Sequence, residues 1–232
     1  MSEEGKKKPG CNWVVILIVG LVGIPVLITI VAVLAAVAVP VYSVIQGRAA
    51  RTKAIANAKQ IHLALAQYAM DHDGAFPGGE NDANAAYRQL FASKLVDESM
   101  FFVPGSAYHK TLPAGHTRPD GVIGEAPMFR KALEQGENHW AYVSGLNNES
   151  PGNLPIIADG FSQTPGVYSD DPMEKGGVWE REAAIIIRVD GSAKMEKPDA
   201  ADFRIYEKRS GQKTDIFSVD YSIDSAQILN PK

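Results

Sequence analysis

The residues of this sequence best suited to chemistry are the acidic side chains of one short segment. Asp170, Asp171 and Glu174 stand in the run Ser-Asp-Asp-Pro-Met-Glu, shortly before a segment rich in isoleucine. Calcium prefers several oxygen ligands supplied by a loop, and these carboxylates offer three sources of them. Two interpretations follow: a calcium site formed by Asp170, Asp171 and Glu174, or an acidic turn whose charges face water.

No pattern of catalytic residues accompanies this segment. The sequence lacks the Gly-x-Ser-x-Gly nucleophile turn, the His-Glu-x-x-His zinc pattern, a phosphate-binding glycine loop and the dinucleotide fingerprint. Asp73, Asp159 and Asp190 each precede a glycine, and turn chemistry explains that pairing without a functional site. The sequence therefore predicts a protein that is not an enzyme and that uses no cofactor apart from the calcium considered above.

Composition limits the classes of partner. The 232 residues carry a formal net charge of -4, so the chain lacks the basic field that grips nucleic acid. Cys11 is the single cysteine, which excludes a disulfide within the chain. We therefore expect no nucleic-acid partner and a domain held together by its hydrophobic core.

The N-terminal region has the composition of a membrane segment. No charged residue occurs from Pro9 to Gly47, and three lysines precede this window. Because ~20 apolar residues cross a hydrocarbon core of ~30 Å, the sequence predicts a cytoplasmic segment 1–11 and a transmembrane helix over 12–40. Pro25 interrupts the apolar run and predicts a local kink. The kink is either harmless to a plain anchor or part of a flexible segment that repacks when subunits assemble.

A second helical pattern continues from the apolar run without a break. Its residues recur at spacings of three, four and seven, which defines one face of an amphipathic helix. This face consists of Val44, Arg51, Ala54, Ala58, Ile61, Leu65 and Tyr68. Gly74 suits a left-handed C-cap and Pro77 blocks continuation. The sequence therefore predicts an amphipathic continuation over 41–77 that ends near Asp71.

Residues 78–232 are predicted to form a globular α+β head. Asp82 is a suitable N-cap for a helix from Ala83 to about Leu95. Residues 101–105 are predicted to form either a short apolar strand or a docking segment closed by a turn. Strands are predicted at 139–146, 154–158, 183–189 and 192–196, with one or two edge strands after Asp199. Asp190-Gly191 predicts a two-residue hairpin turn, because such turns need positive φ. We expect an antiparallel sheet that packs on the second half of the long helix.

The segment Val31–Pro77 resembles the N-terminal region of type IV pilins and type II secretion pseudopilins. Three stretches and a basic group carry the resemblance. The stretches are Val-Leu-Ala-Ala-Val-Ala-Val-Pro-Val-Tyr (33–42), Asn-Ala-Lys-Gln-Ile (57–61) and Tyr-Ala-Met-Asp-His-Asp-Gly-Ala-Phe-Pro (68–77), and the basic residues between the first two are Arg48, Arg51 and Lys53. The resemblance implies a pilin-like fold, in which a transmembrane and then amphipathic helix packs on the antiparallel sheet of a head. It also implies a single-pass protein of the bacterial inner membrane, with a cytoplasmic N-terminus and a periplasmic or extracellular head.

The same resemblance implies the partners. The N-terminal helix would contact the lipid bilayer, further copies of the chain or other pilin-like subunits. Small residues let neighbouring helices approach closely. The residues implied for this role are Ala32, Ala35 and Ala36, followed by Pro40 at the membrane exit. Some major pseudopilins bind calcium in a loop of the head, which agrees with the calcium interpretation of the acidic segment.

One feature of the family is absent. Its members carry a leader-peptidase site, in which a glycine precedes an aromatic residue and a glutamate occupies the fifth position of the mature chain. Counting back from Pro40 places Gly23 where the glutamate should stand. Gly10 ends a lysine-rich leader and is the candidate processing site, but Val15 then takes the place of the glutamate.

Two functions follow as hypotheses. The first is a pilin-like or pseudopilin-like structural subunit of a bacterial secretion or surface-filament system. The second is a membrane-tethered extracytoplasmic module that binds a ligand or a protein, which the missing glutamate favours.

Overall fold

The structure, a computed structural model, describes most of the chain. The described residues are 13, 19–103, 106, 118–209 and 211–232, with side chains omitted at 19 and 37–44. The chain divides between Gln46 and Gly47 into two compact units. Both include part of one helix, α1, which runs Ile24–Asp71.

The N-terminal unit is helical wherever the structure describes it. A π-helical turn, Val19–Gly23, leads directly into α1. Pro25 is the second residue of α1, a position that tolerates a missing N–H group. The interruption of the regular helix lies at this π-helical turn, just before Pro25, and the predicted kink stays a prediction. Large apolar side chains from Leu21 to Leu34 are each more than half exposed.

Within the described residues, no helix combines the length and the apolar character needed to cross a membrane. The predicted transmembrane helix, 12–40, includes residue 12 and residues 14–18, which lie outside the described part. The cytoplasmic segment 1–11, with Gly10, lies wholly outside it.

The second half of α1 belongs to the C-terminal unit and buries one face. Ala54, Ala58, Ile61 and Leu65 have no solvent-accessible surface, which confirms the core of the predicted amphipathic face. Arg51 and Tyr68 are half-buried at its margins, and the side chain of Val44 is not described. The helix ends as predicted: the Gly74 N–H donates to the Ala69 carbonyl at 2.8 Å, with Gly74 at φ 86°.

A five-stranded antiparallel sheet forms the centre of the head. Its strands, in the spatial order β4-β3-β2-β1-β7, are β1 (Trp140–Val143), β2 (Pro155–Asp159), β3 (Ala184–Arg188), β4 (Ala193–Glu196) and β7 (Ile228–Leu229). A separate hairpin pairs β5 (Tyr206–Arg209) with β6 (Gln212–Asp215). All five residues of β3 are buried, which agrees with the prediction from its isoleucines. The fold is α+β, with a long N-terminal helix and an antiparallel sheet.

The hairpin between β3 and β4 differs from the prediction. The Arg188 N–H donates to the Ser192 carbonyl at 3.0 Å, and the Gly191 N–H donates to the Arg188 carbonyl at 2.9 Å. Of the two residues Asp190 and Gly191, only Gly191 has positive φ, at 77°. The two-residue turn needs positive φ at both central positions, so the chain instead forms a three-residue loop, 189–191, with glycine in the left-handed position.

Two short segments of the head also differ from the prediction. The predicted helix from Ala83 begins there, with the Asp82 side chain accepting from the Ala85 N–H at 2.9 Å. The α-helical part, α2, covers only Ala83–Arg88, and a 3₁₀ turn, Gln89–Ser93, continues it. The predicted strand at 101–105 is not formed at its start, because Phe101 ends another 3₁₀ turn, Glu98–Phe101. Three further 3₁₀ turns precede β7 in the described residues: Lys175–Gly177, Val219–Tyr221 and Ser225–Gln227.

Candidate functional site

Three carboxylates from separate loops converge in the head. Glu98, Asp120 and Glu137 each offer an oxygen atom, and these atoms all lie within 4.8 Å of one another. Glu98 and Glu137 are each 3% exposed, whereas Asp120 is exposed. We call these three residues the carboxylate cluster. In the described part of the chain it is the one group of acidic, histidine or cysteine side chains with this metal-ligand spacing.

Backbone N–H groups hold the carboxylate cluster in place. Glu98 opens a 3₁₀ turn, and its two oxygens accept from the N–H groups of Gly121 and Leu133, both at 2.8 Å. Glu137 accepts from the Glu134 N–H at 2.7 Å, within the loop that leads to β1. Glu98 thereby joins the loop containing Asp120 to the loop before β1. Each hydrogen bond has a fixed backbone donor, so the cluster is built by the fold and not by one local motif.

The described residues give the carboxylate cluster no cationic partner. No lysine, arginine or histidine of the described residues forms an ion pair with its three members. Burial raises the pKa of Glu137, and the neighbouring charges of Glu98 and Asp120 raise it further. The hydrogen bond from the Glu134 N–H opposes this shift because it favours the ionised form.

Two kinds of chemistry fit such an arrangement. A hard divalent cation such as calcium binds carboxylate and carbonyl oxygens, and it would neutralise the clustered charge. Without a cation, neighbouring carboxylates reduce their repulsion by holding a proton between them. Among the described residues, Glu98, Asp120 and Glu137 are therefore the ones best placed to hold a metal ion.

The predicted calcium residues lie elsewhere and are not brought together in this way. Asp170 is exposed, and its carboxylate lies 3.9 Å from the guanidinium of Arg181. The Asp171 carboxylate accepts from the Met173 N–H at 2.8 Å, which is a local turn. Glu174 is exposed at the rim of a cleft of about 310 Å³ next to Lys175. These contacts are those of an acidic turn, and calcium binding by this segment stays a prediction.

The residues predicted for helix assembly all lie in α1. Ala32, Ala35 and Ala36 are exposed in the N-terminal unit. Pro40 is within the helix, although its side chain is not described. The structure therefore leaves the three alanines accessible, and their role in assembly is untested.

A buried polar network in the sheet was not foreseen. The carboxylate of Asp159, which is 1% exposed, lies 2.6 Å from the His139 Nε2 atom. It also accepts from the Trp179 Nε1–H at 2.9 Å and from the Ile185 N–H at 2.6 Å. Turn chemistry alone, which was the interpretation of Asp159 from the sequence, is therefore wrong for this residue. Its carboxylate joins the residue before β1 to β2, β3 and the loop of Trp179, and complete burial suits a structural brace.

The other histidines show no catalytic arrangement in the described residues. The His62 Nε2 atom lies 3.0 Å from the Val189 carbonyl, which links α1 to the β3–β4 hairpin. His72 stacks on Tyr68 with ring centroids 3.7 Å apart. His109 and His116 lie outside the described residues.

Sequence reasoning missed the carboxylate cluster because its members are far apart in the chain. Asp97-Glu98 precedes Phe101-Phe102, and Glu137 stands two residues before the strand-like His139-Trp140. A weak signal lies in this placement of single acidic residues beside apolar segments that must be buried. Nothing in the spacing indicates that the three side chains meet.

Comparison with known proteins adds no assignment, since no protein-family model, curated protein or solved structure matches the chain. The resemblance to pilins and pseudopilins therefore depends on the sequence motifs themselves.

Proposed function

We propose that this chain is a pilin-like or pseudopilin-like, membrane-anchored structural subunit of a bacterial secretion or surface-filament system. The observation that carries the proposal is the contrast along α1. Its second half buries one face in the C-terminal unit, while the large apolar side chains at the start of its first half are exposed. Exposed apolar surface on this scale marks a membrane or protein contact.

Lipid and neighbouring helices are the partners that suit this surface. Leu27, Ile28 and Leu34 are between 61% and 64% exposed, and no charged residue occurs from Pro9 to Gly47. Ala35 and Ala36 would let a second helix approach closely, because helix packing in membranes depends on small residues. The anchor holds the subunit in the inner membrane before assembly, and the same surface packs on other subunits afterwards.

The proposed orientation places the N-terminus in the cytoplasm and the head in the periplasm or outside the cell. The three lysines before the apolar run support this, because positively charged segments favour the cytoplasmic side. The proposed subunit is not an enzyme.

Electron microscopy of sheared surface and membrane-extracted fractions tests the proposal. Cells with and without the gene are compared, and the protein is located on any filament with a specific antibody. Filaments that carry the protein and disappear with the gene are the expected result. Protein found solely as monomers or small oligomers in the membrane would contradict the proposal.

A membrane-tethered binding module is the second candidate. The absence of the family glutamate and the presence of the carboxylate cluster in the head favour it. Replacing residues 1–46 with an unrelated single-pass anchor separates the two functions. A filament subunit would lose assembly, whereas a tethered module would restore whatever function the gene deletion removes.

A further inference from the structure

Strand β4 forms one edge of the five-stranded sheet, with β3 as its neighbour on the inner side. Its neighbour β3 is buried along its whole length, but β4 is not. Lys194 and Met195 are adjacent and therefore point to opposite faces of the sheet. The Lys194 side chain and the Met195 residue are each 50% exposed. On each face of the sheet, one side chain of β4 is therefore half exposed.

The outer edge of β4 offers unpaired backbone groups. Hydrogen-bonded pairs alternate along an antiparallel ladder, and the pair Arg188–Ser192 is one of them. The register then directs the N–H and C=O groups of Lys194 and Glu196 toward β3. Those of Ala193, Met195 and Lys197 point outward. Within 19–103, 118–209 and 211–232, no group hydrogen-bonds to these outward backbone atoms.

We propose that β4 pairs antiparallel with β4 of a second copy of this chain, around a two-fold axis at Met195. The outward N–H and C=O groups of Met195 then bond to those of Met195 in the second copy. The pairing also places Ala193 opposite Lys197. The two apolar Met195 side chains lie side by side and shield each other from water. This contact lies in the head and does not depend on the function proposed for α1.

The charged residues on either side of Met195 favour a second copy of this chain as the partner of the β4 edge. Around Met195 the chain reads Lys-Met-Glu, so antiparallel self-pairing places Lys194 opposite Glu196 on both sides of the axis. Opposite charges facing each other across strands are stabilising. An axis at Lys194 or at Glu196 would instead place like charges opposite each other. The register at Met195 is thus the one favoured by both the backbone and the side chains.

Internal contacts of Lys194 leave room for this pairing. Its Nζ atom lies 2.8 Å from the Glu207 carboxylate and 3.8 Å from the Glu196 carboxylate. Since half of the lysine side chain is exposed, the ammonium group can serve Glu207 and a second Glu196 together. Lysine on an edge strand usually prevents pairing with unrelated strands. Here it also supplies half of a self-complementary charge pattern.

Disulfide trapping in the full chain tests the geometry. Met195→Cys and, as control, Met173→Cys are each made in a Cys11→Ser background and reconstituted in lipid vesicles. The two methionines match in exposure, at 50% and 51%. Residues in a hydrogen-bonded antiparallel pair have Cα atoms about 5.5 Å apart, which suits a disulfide.

Mild oxidation should link Met195→Cys into dimers roughly ten times faster than Met173→Cys, because pairing raises the effective thiol concentration. Equal rates for the two variants would overturn the proposal. Equal rates are also what association through α1 alone would produce, so failure here leaves the filament hypothesis standing.

A charge exchange tests the register. In the Met195→Cys background, Lys194→Glu places two glutamates opposite each other and should weaken pairing by roughly two- to thirtyfold, since symmetry affects two cross-strand pairs. Adding Glu196→Lys restores opposite charges between copies, while the contact with Glu207 becomes repulsive. Rescue of the linking rate by this double exchange is expected. No rescue would overturn the register proposed here.

Discussion

Along α1, Ala58, Ile61 and Leu65 are fully buried, whereas Leu27 and Leu34 are 61% and 64% exposed. The two halves share one backbone helix and similar side chains, so helix propensity does not explain the difference. The sheet and loops of the C-terminal unit cover the second half. Under the proposed function, lipid or other protein chains cover the exposed side chains of the first half. This difference teaches that burial along α1 is decided by what surrounds each half and not by the side chains of the helix alone.

Matched leucine truncations offer the strongest test of this contrast. Leu65→Ala should lower the free energy of unfolding of the head by about 2–5 kcal/mol, because it leaves a cavity in a packed core. Leu63→Ala, at a residue 64% exposed in the same unit, and Leu27→Ala should each change it by less than ~0.5 kcal/mol. Urea unfolding of the full chain in detergent, followed by tryptophan fluorescence, measures all three. An equal loss for Leu27→Ala would break the comparison.

The buried brace at Asp159 gives the next largest effect. Asp159→Ala removes the carboxylate that accepts from the Trp179 and Ile185 N–H groups and that faces His139, which should cost about 3 kcal/mol. Asp190 also precedes a glycine, but its exposed carboxylate accepts from the Ser192 N–H in a local turn. Asp190→Ala should therefore cost about 1 kcal/mol or less. The same unfolding experiment ranks the two, and equal losses would refute the brace.

Substitution of Glu137 should have a smaller effect on stability, and this effect should depend on pH. Its pKa in the folded protein is raised, so ionisation of Glu137 weakens folding as the pH rises through that value. Glu137→Gln should raise the Tm at pH 7, and the gain should vanish below the unfolded pKa of about 4.3. Glu134→Gln, at an exposed residue outside the carboxylate cluster, serves as control and should change the Tm little.

If the carboxylate cluster holds calcium, Glu137→Gln should lower the Tm measured with calcium instead of raising it. An ion held by the carboxylate cluster would raise the Tm of the unchanged protein, because a ligand that binds the folded state stabilises it. Glu137→Gln would then lose most of the calcium-dependent rise. Thermal scans with calcium and with a chelator test whether the cluster binds the ion. Identical scans would contradict calcium binding and would leave proton sharing between the carboxylates as the remaining chemistry.

The sequence was most informative where one periodicity decides the structure. The buried face of α1, the end of the helix near Gly74 and the isoleucine-rich strand β3 were predicted from local patterns and are confirmed. The Asp190-Gly191 turn was located correctly but was given the wrong loop length, because the dipeptide does not reveal which residue takes positive φ. Short patterns thus identify elements better than they identify their geometry.

The candidate site could not be predicted in the same way. Glu98, Asp120 and Glu137 meet only because loops far apart in the chain pack together. Asp159 was interpreted as a turn residue because it precedes a glycine. The partners of its carboxylate are distant in sequence, since they come from the residue before β1, from β3 and from another loop. The acidic run at 170–174 attracted attention because its residues are neighbours in sequence, but the structure places their carboxylates in local turns and a surface ion pair.

The central claim is that the exposed first half of α1 is a surface for assembly. Ala35→Glu places a charge on that surface, and Ala56→Glu places the same charge on an exposed residue of α1 in the C-terminal unit. Both variants are expressed in cells that lack the native gene. Urea unfolding of each purified chain establishes that the head remains folded.

Counting filaments in sheared fractions by electron microscopy is the decisive measurement. Our account predicts that Ala35→Glu abolishes filaments while Ala56→Glu retains them, because a charge is costly where helices pack in an apolar environment. Normal filaments from Ala35→Glu would contradict the account.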